Sequence, residues 1–264
     1  MSFLTLWINT GLVILGLMFA LWLLSLVLKN SSIIDIFWGM GFVITFWVGT
    51  LLMPSERAAR IILLGVIVTI WGLRLSLYIY QRNRRNPEDF RYAKWRQEAG
   101  PSWWWRSFFK VFLLQGVVLW IIAIPLLATQ TSSASNSALT WLDFLGAFIW
   151  LTGFAFEAGG DYQLARFKAN PANKGKLLTI GLWNLTRHPN YFGDAAQWWG
   201  FYLIALASGA WWAIFSPITM TYLLMKVSGV VMLESTLKDT KSGYAEYIAN
   251  TPEFFPRILP RKKE

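Results

Sequence analysis

The run Arg187-His188-Pro189-Asn190-Tyr191-Phe192-Gly193-Asp194 holds the densest set of chemically capable groups in this sequence. Pro189 suits the first turn of a helix, where its missing N–H costs nothing. From there Asn190, Asp194 and Gln197 recur at i, i+4 and i+7, with Tyr191 and Trp198 beside them. This spacing puts an amide, a carboxylate and a phenol on one helix face. Arg187 and His188 stand just before the helix N-terminus, where the dipole favours an anion. Glu157 and Asp161, four apart, share a face of an earlier helix. Together these groups suit the binding of an anionic cofactor. The competing reading is interhelical hydrogen bonding that only holds a bundle together. With one His and no Cys, a multi-histidine centre, a thiolate zinc site, an iron–sulfur cluster, a disulfide scaffold and a cysteine nucleophile are excluded within one chain. No metal is expected, and His188 reads as a positioned donor.

The elements that must place these groups follow from composition. Apolar residues make up 55% of 264, above the roughly 45–50% of a soluble domain, and charged residues make up 14% against about 25%. This excludes a disordered chain, a collagen-like chain and a conventional soluble enzyme. Residues 1–28, 36–55, 111–142 and 195–225 carry no charge. About 20 apolar residues cross roughly 30 Å of hydrocarbon. Two weaker runs, 58–80 with Arg74 inside and 139–160 with Glu157 near its end, complete the count. The expectation is an all-α, polytopic membrane helix bundle forming a single integral membrane domain over 1–264. About seven transmembrane helices are expected, at 3–28, 34–53, 58–80, 108–128, 139–160, 190–207 and 211–233. Ser208-Gly209 is the expected break within 195–225, and the polar stretch Gln130–Ser137 the expected loop.

Loop charge sets orientation. Cations gather in 81–110 (Arg82, Arg84, Arg85, Arg91, Lys94, Arg96, Arg106, Lys110), in 161–190 (Arg166, Lys168, Lys174, Lys176, Arg187) and in the tail. Placing these loops in the cytoplasm puts the N terminus outside and the C terminus inside, a parity that seven spans satisfy. The first run lacks a basic start and a cleavage site, so it reads as a retained helix. Trp residues near the span ends read as interfacial anchors. The net charge, 24 − 14 = +10, reads as topology plus contact with membrane lipid, not nucleic acid.

The Arg187–Asp194 run, with Trp198 and Gly200 after it, resembles the C-terminal domain of steroid 5-alpha-reductases over about 140–260. Nearly the whole chain resembles the bacterial membrane proteins grouped with that domain, the DUF1295 family. Asp35-Ile-Phe-Trp38-Gly39, Trp71-Gly72-Leu73-Arg74, Glu88-Asp89-Phe90-Arg91-Tyr92 and Asp161-Tyr162-Gln163-Leu164 carry that wider likeness. The resemblance implies a multi-pass enzyme of the bacterial inner membrane. It would hold NADPH at the cytoplasmic side and reduce a C=C bond conjugated to a carbonyl in a lipophilic, steroid-like or other lipid substrate. By position, Asp161, Arg166, Asn190, Tyr191 and Asp194 would face the cofactor, with Arg74 contributing and Trp183 and His188 near it. Glu234, Tyr244 and Tyr247 follow, since in the family the tail packs over the cytoplasmic mouth. The Gln-Glu pair that eukaryotic steroid reductases carry early in the chain is missing; Asp35 is the acid in that region.

Hydride attack on an enone develops negative charge on the carbonyl oxygen, which a donor in a dry site stabilises. A desolvated Asp35 could be a neutral donor; its competing role is a helix cap after Ser31-Ser32. Tyr78 and Tyr80 are rival donors, and Glu157 completes the catalytic candidates. Isoprenylcysteine methyltransferases and sterol C14-reductases carry similar Arg-His-Pro runs. An S-adenosylmethionine-dependent methyltransferase is therefore the alternative enzyme, and a non-catalytic membrane protein the alternative outside enzymology.

Overall fold

The computed structural model describes residues 1–53, 58–84, 86–136, 138–227, 230, 234, 241 and 243–257. Among these, every regular element is helical. The helices are α1 (Phe3–Leu28), α2 (Ile33–Leu52), α3 (Ala59–Asn83), α4 (Phe90–Ala99), α5 (Trp103–Ser107), α6 (Leu114–Ile122), α7 (Ile124–Thr131), α8 (Trp141–Ala169), α9 (Leu182–Leu185), α10 (Pro189–Ala207), α11 (Phe215–Tyr222) and α12 (Tyr244–Asn250). A π turn at Phe108–Leu113 joins α5 to α6. Among the described residues, five helical stretches are long and apolar enough to cross a membrane: α1, α2, α3, Phe90–Ile122 and α8. α10 has 19 residues but is not among them, because the polar stripe lowers its hydropathy. The expected span 211–233 runs past the described residues, as do Arg85, Lys238 and the basic end of the tail.

Helix ends differ from expected membrane edges for a physical reason. α8 continues past 160 to Ala169, because nothing breaks it before Asn170-Pro171. Asp161, Arg166 and Lys168 are therefore helical rather than in a loop. Gln130 and Thr131 likewise end α7 instead of opening a loop, and Gln130 Nε2 donates to Phe46 O at 3.0 Å. The break at Ser208-Gly209 is where it was expected. Gly209 takes φ +87°, and the N–H groups of Gly209 and Ala210 close onto Leu206 O and Ala205 O.

The chain divides into two compact units, Met1–Thr140 with Ile204–Ala213 and Trp141–Leu203 with Ile214–Glu264. In the first, α2 and α3 meet backbone to backbone: a Cβ on Gly39 would lie 2.5 Å from Gly72 O, and one on Gly72 2.5 Å from Gly39 O. Close approach of this kind stabilises helix pairs in lipid, where burial of apolar surface cannot. Gly72→Ala is expected to destabilise the protein by about 1–3 kcal/mol through overpacking. Gly16→Ala, with nothing within 4 Å of the new Cβ, is the control. Thermal unfolding in detergent checks both, and equal midpoints would contradict the backbone-contact account.

The same unit joins two motif segments. Glu88 accepts from Arg96 Nη2 at 2.8 Å and Nε at 2.9 Å, and from Ser31 N at 2.5 Å. Trp103 Nε1 donates to Ser31 Oγ at 3.2 Å. Asp35 Oδ2 meets Arg91 Nη2 at 3.2 Å, while its Oδ1 accepts from Tyr92 OH at 2.7 Å; Gln115 Nε2 donates to the same phenol at 3.0 Å. Asp35 thus caps no helix: α2 begins after Ser32 with no side-chain cap. The Asp35-Ile-Phe-Trp-Gly and Glu88-Asp-Phe-Arg-Tyr segments are two halves of one ion-pair network.

In the second unit, Gly146, Gly153 and Gly160 recur every seven residues on α8, two turns apart, and α10 lies along that row. A Cβ on Gly153 would be 2.5 Å from Gly193 O, and one on Gly200 2.6 Å from Gly146 O. At Gly160 the neighbours are Pro189 and Asn190. The glycines draw the two backbones together and set the polar faces of α8 and α10 against each other.

Candidate functional site

The α8–α10 seam carries the polar stripe. Asn190 Nδ2 donates to Asp161 Oδ1 at 3.2 Å, and Gln197 Nε2 donates to Glu157 Oε2 at 2.6 Å. Glu157, Asp161, Asp194 and Gln197 are all buried. Gln197 Oε1 has no hydrogen-bond partner among the described residues. A buried acceptor left open costs free energy unless something outside the described groups fills it. Trp183 Nε1 donates to Gly160 O at 3.1 Å, which holds α9 against the same part of α8. Arg166 is exposed in the last turn of α8, five residues beyond Asp161.

Arg187 and His188 point elsewhere. Arg187 is buried and donates through Nε to Glu234 Oε1 at 2.7 Å, and through Nη1 to Thr251 O at 2.7 Å and Ile248 O at 3.3 Å. Its own N–H reaches Pro252 O at 2.9 Å. His188 Nε2 lies 3.1 Å from the same Glu234 oxygen, and its ring stacks on Tyr191 with centroids 5.7 Å apart. Thr186 Oγ1 donates to Phe254 O, Arg257 N to Leu185 O and Tyr247 OH to Trp183 O. Residues 183–188 are thereby laced to 247–257. Burial pushes the Glu234 carboxyl up, but hydrogen bonds from His188 and Arg187, with their charges, outweigh it and hold it at about 2. Burial, then the charge of Glu234, pushes the Tyr244 phenol to about 12; burial, then Tyr244, raises Tyr247.

The structure brings together Glu157, Asp161, Asn190 and Gln197 on the seam, and Arg187, His188, Glu234, Tyr244 and Tyr247 around the C-terminal segment. Arg74 and Tyr78 lie in the first unit, with the guanidinium 5.3 Å from the centroid of the Tyr78 ring. Asp35 is there too, with both oxygens engaged by Arg91 and Tyr92. Sequence reasoning missed the attachment of Arg187 to backbone carbonyls of 248–252, which no residue pattern reports. It also missed the Gly146-Gly153-Gly160 row, whose period of seven is visible in the sequence.

Chemically, the seam offers buried carboxylates and an open amide oxygen, an acceptor set suited to hydroxyl and carboxamide donors. An exposed guanidinium a little more than one turn along α8 suits a phosphate. That donor and acceptor set fits a nucleotide cofactor.

A family model described as "Protein of unknown function (DUF1295)" matches residues 21–251. An uncharacterized protein of Schizosaccharomyces pombe is 24% identical over 98% of this chain and 83% of its own length. The Delta(14)-sterol reductase of Ascobolus immersus is 27% identical over 52% of this chain and 33% of its own length. A probable O-methyltransferase, ustE, of Ustilaginoidea virens is 42% identical over 24% of this chain and 22% of its own length. The chain therefore spans a third or less of the reductase and the methyltransferase it matches. No solved structure matches.

Proposed function

This chain belongs to the DUF1295 family, and from that membership and the α8–α10 seam we propose that it is a membrane-embedded, NADPH-dependent reductase. Its substrate is a lipophilic molecule with a C=C bond conjugated to a carbonyl. The observation that carries the reading is the run of buried Glu157, Asp161 and Gln197 with half-buried Asn190, one amide oxygen being open. The similarity to a Delta(14)-sterol reductase supports a reductase; the conjugated carbonyl belongs to the proposal. We read the chain as seven spans in one integral membrane protein, with the N terminus outside and the basic loops in the cytoplasm.

NADPH, when bound, supplies the hydride. The chain's own residues would bind and orient it: Asp161, Asn190 and Asp194 would hydrogen-bond the nucleotide, Tyr191 and Trp183 would be within the same site, and Arg166 would pair with phosphate. His188, Tyr244 and Tyr247 act through the C-terminal segment that Arg187 secures. Asp35 is not retained as the donor to a substrate carbonyl, because Arg91 and Tyr92 engage both of its oxygens.

The similarity to an O-methyltransferase favours a second reading, an S-adenosylmethionine-dependent transferase. Titration of the purified protein separates the two. The reductase reading expects a saturable change in nicotinamide fluorescence with NADPH and no competition by S-adenosylmethionine. Binding of the methyl donor with no response to NADPH would overturn it.

A further inference from the structure

We propose that the junction of α4, α5 and the π turn is a binding site for an anionic phospholipid headgroup, built on Arg106 and Lys110. The argument starts from charge pairing. Within α4 each cation has a carboxylate: Arg91 meets Asp35 and Asp89, Lys94 meets Glu98 at 4.0 Å, and Arg96 meets Glu88. Past Glu98 the acids stop, and residues 99–142 contain no Asp or Glu. Two exposed cations remain in that stretch, Arg106 and Lys110, and among the described residues each meets an aromatic face instead. Lys110 Nζ stands 4.4 Å from the centroid of Trp95, and the Arg106 guanidinium 5.5 Å from that of Trp105. A ring quadrupole attracts a cation but leaves its charge uncompensated.

Their surroundings fix what can compensate it. Trp104, Trp105 and Phe109 are exposed beside them, and Trp22 Nε1 donates to Trp104 O at 2.8 Å, placing the end of α1 at the same level. Such a belt of tryptophans marks the boundary between headgroups and acyl chains. Gly100, at φ +55°, turns the chain between α4 and the stretch that continues as α5 and α6. Lys110 lies beyond the belt, within that spanning stretch, and its long side chain carries the ammonium back to Trp95. Two uncompensated cations among exposed aromatic rings at this level match a lipid phosphate whose negative charge no headgroup amine cancels. Phe109 and Trp105 would lie against the acyl chains.

The probe is phosphatidylglycerol, titrated into purified protein in detergent and counted as retained adducts by native mass spectrometry, with phosphatidylcholine as the second arm. Near an anionic surface each cation is worth about fivefold, so two together give about thirtyfold. The intact chain should retain phosphatidylglycerol about thirtyfold better than phosphatidylcholine. R106Q and K110Q should each lose about fivefold of that preference, and the double variant should lose it entirely. Inorganic phosphate should not compete, since the rings and the acyl region add to the headgroup. Equal retention of the two lipids by the intact chain, an undiminished preference in the double variant, or displacement by free phosphate would each overturn the assignment. Melting temperatures in phosphatidylcholine report the fold of every variant separately.

Discussion

Arg187→Ala is expected to destabilise the protein by about 3–5 kcal/mol, the range for removing one partner of a buried ion pair. The reason is concentration of function in one side chain. Arg187 neutralises Glu234 and satisfies the carbonyls of Ile248 and Thr251, so its loss leaves a buried carboxylate and two acceptors exposed to a dry environment. Arg187→Lys restores charge without the planar fork and should recover part of the loss. Chemical or thermal unfolding in detergent measures both variants, and an unchanged midpoint in Arg187→Ala would refute the account. The pH dependence provides an independent check. The Glu234 carboxyl stands at about 2 when folded and near its ordinary 4.5 when unfolded. A depressed carboxyl contributes stability that is fully present above about 4.5 and is lost as pH falls from there towards 2. The melting temperature of the intact protein should therefore fall across that window. In Arg187→Ala the fall should be shallower, since the guanidinium that lowers the Glu234 carboxyl is gone while His188 stays beside it. A slope unaltered by the substitution would mean that other carboxylates govern acid unfolding.

What the sequence made legible follows a physical division. Apolar runs of span length read directly as helices, because lipid forces every backbone group to bond within its own segment. The turn at Ser208-Gly209 was equally readable, since glycine takes the positive φ that ends α10. The i, i+4, i+7 spacing of Asn190, Asp194 and Gln197 gave the face correctly, and Asp161 and Glu157 do meet it. Partner choice was the part that spacing could not carry. Arg187 and His188 read as anion donors at a helix N-terminus, yet their side chains meet Glu234, 47 and 46 residues later. Asp35 reads as a cap or a neutral donor, yet it closes on Arg91, 56 residues away. Charges that pair across such separations leave no periodic trace. Glycine is the exception that could have been used: Gly146, Gly153 and Gly160 mark the face of α8 that a second backbone approaches.

Asp194→Asn should weaken NADPH binding by about ten- to hundredfold while leaving the fold intact. The side chain is buried on the α10 face shared with Asn190 and Gln197, one turn from each. Hydrogen bonds to a charged group contribute about 1.5–3 kcal/mol, and the amide keeps the shape of the carboxylate but not its charge. A cofactor contact and an interhelical brace therefore give different outcomes. If Asp194 accepts from the nucleotide, affinity read by nicotinamide fluorescence falls and the unfolding midpoint holds. If Asp194 only braces α10, the midpoint falls and the affinity of the remaining folded protein is unchanged. Gln197→Leu sharpens the distinction, because it removes the amide whose oxygen stands open at the seam. Under the reductase reading it should lower NADPH affinity; because it also removes the donor to the buried Glu157, the unfolding midpoint is read beside the affinity. A lowered midpoint with full affinity would assign the whole stripe to helix packing and remove the cofactor from the α8–α10 seam.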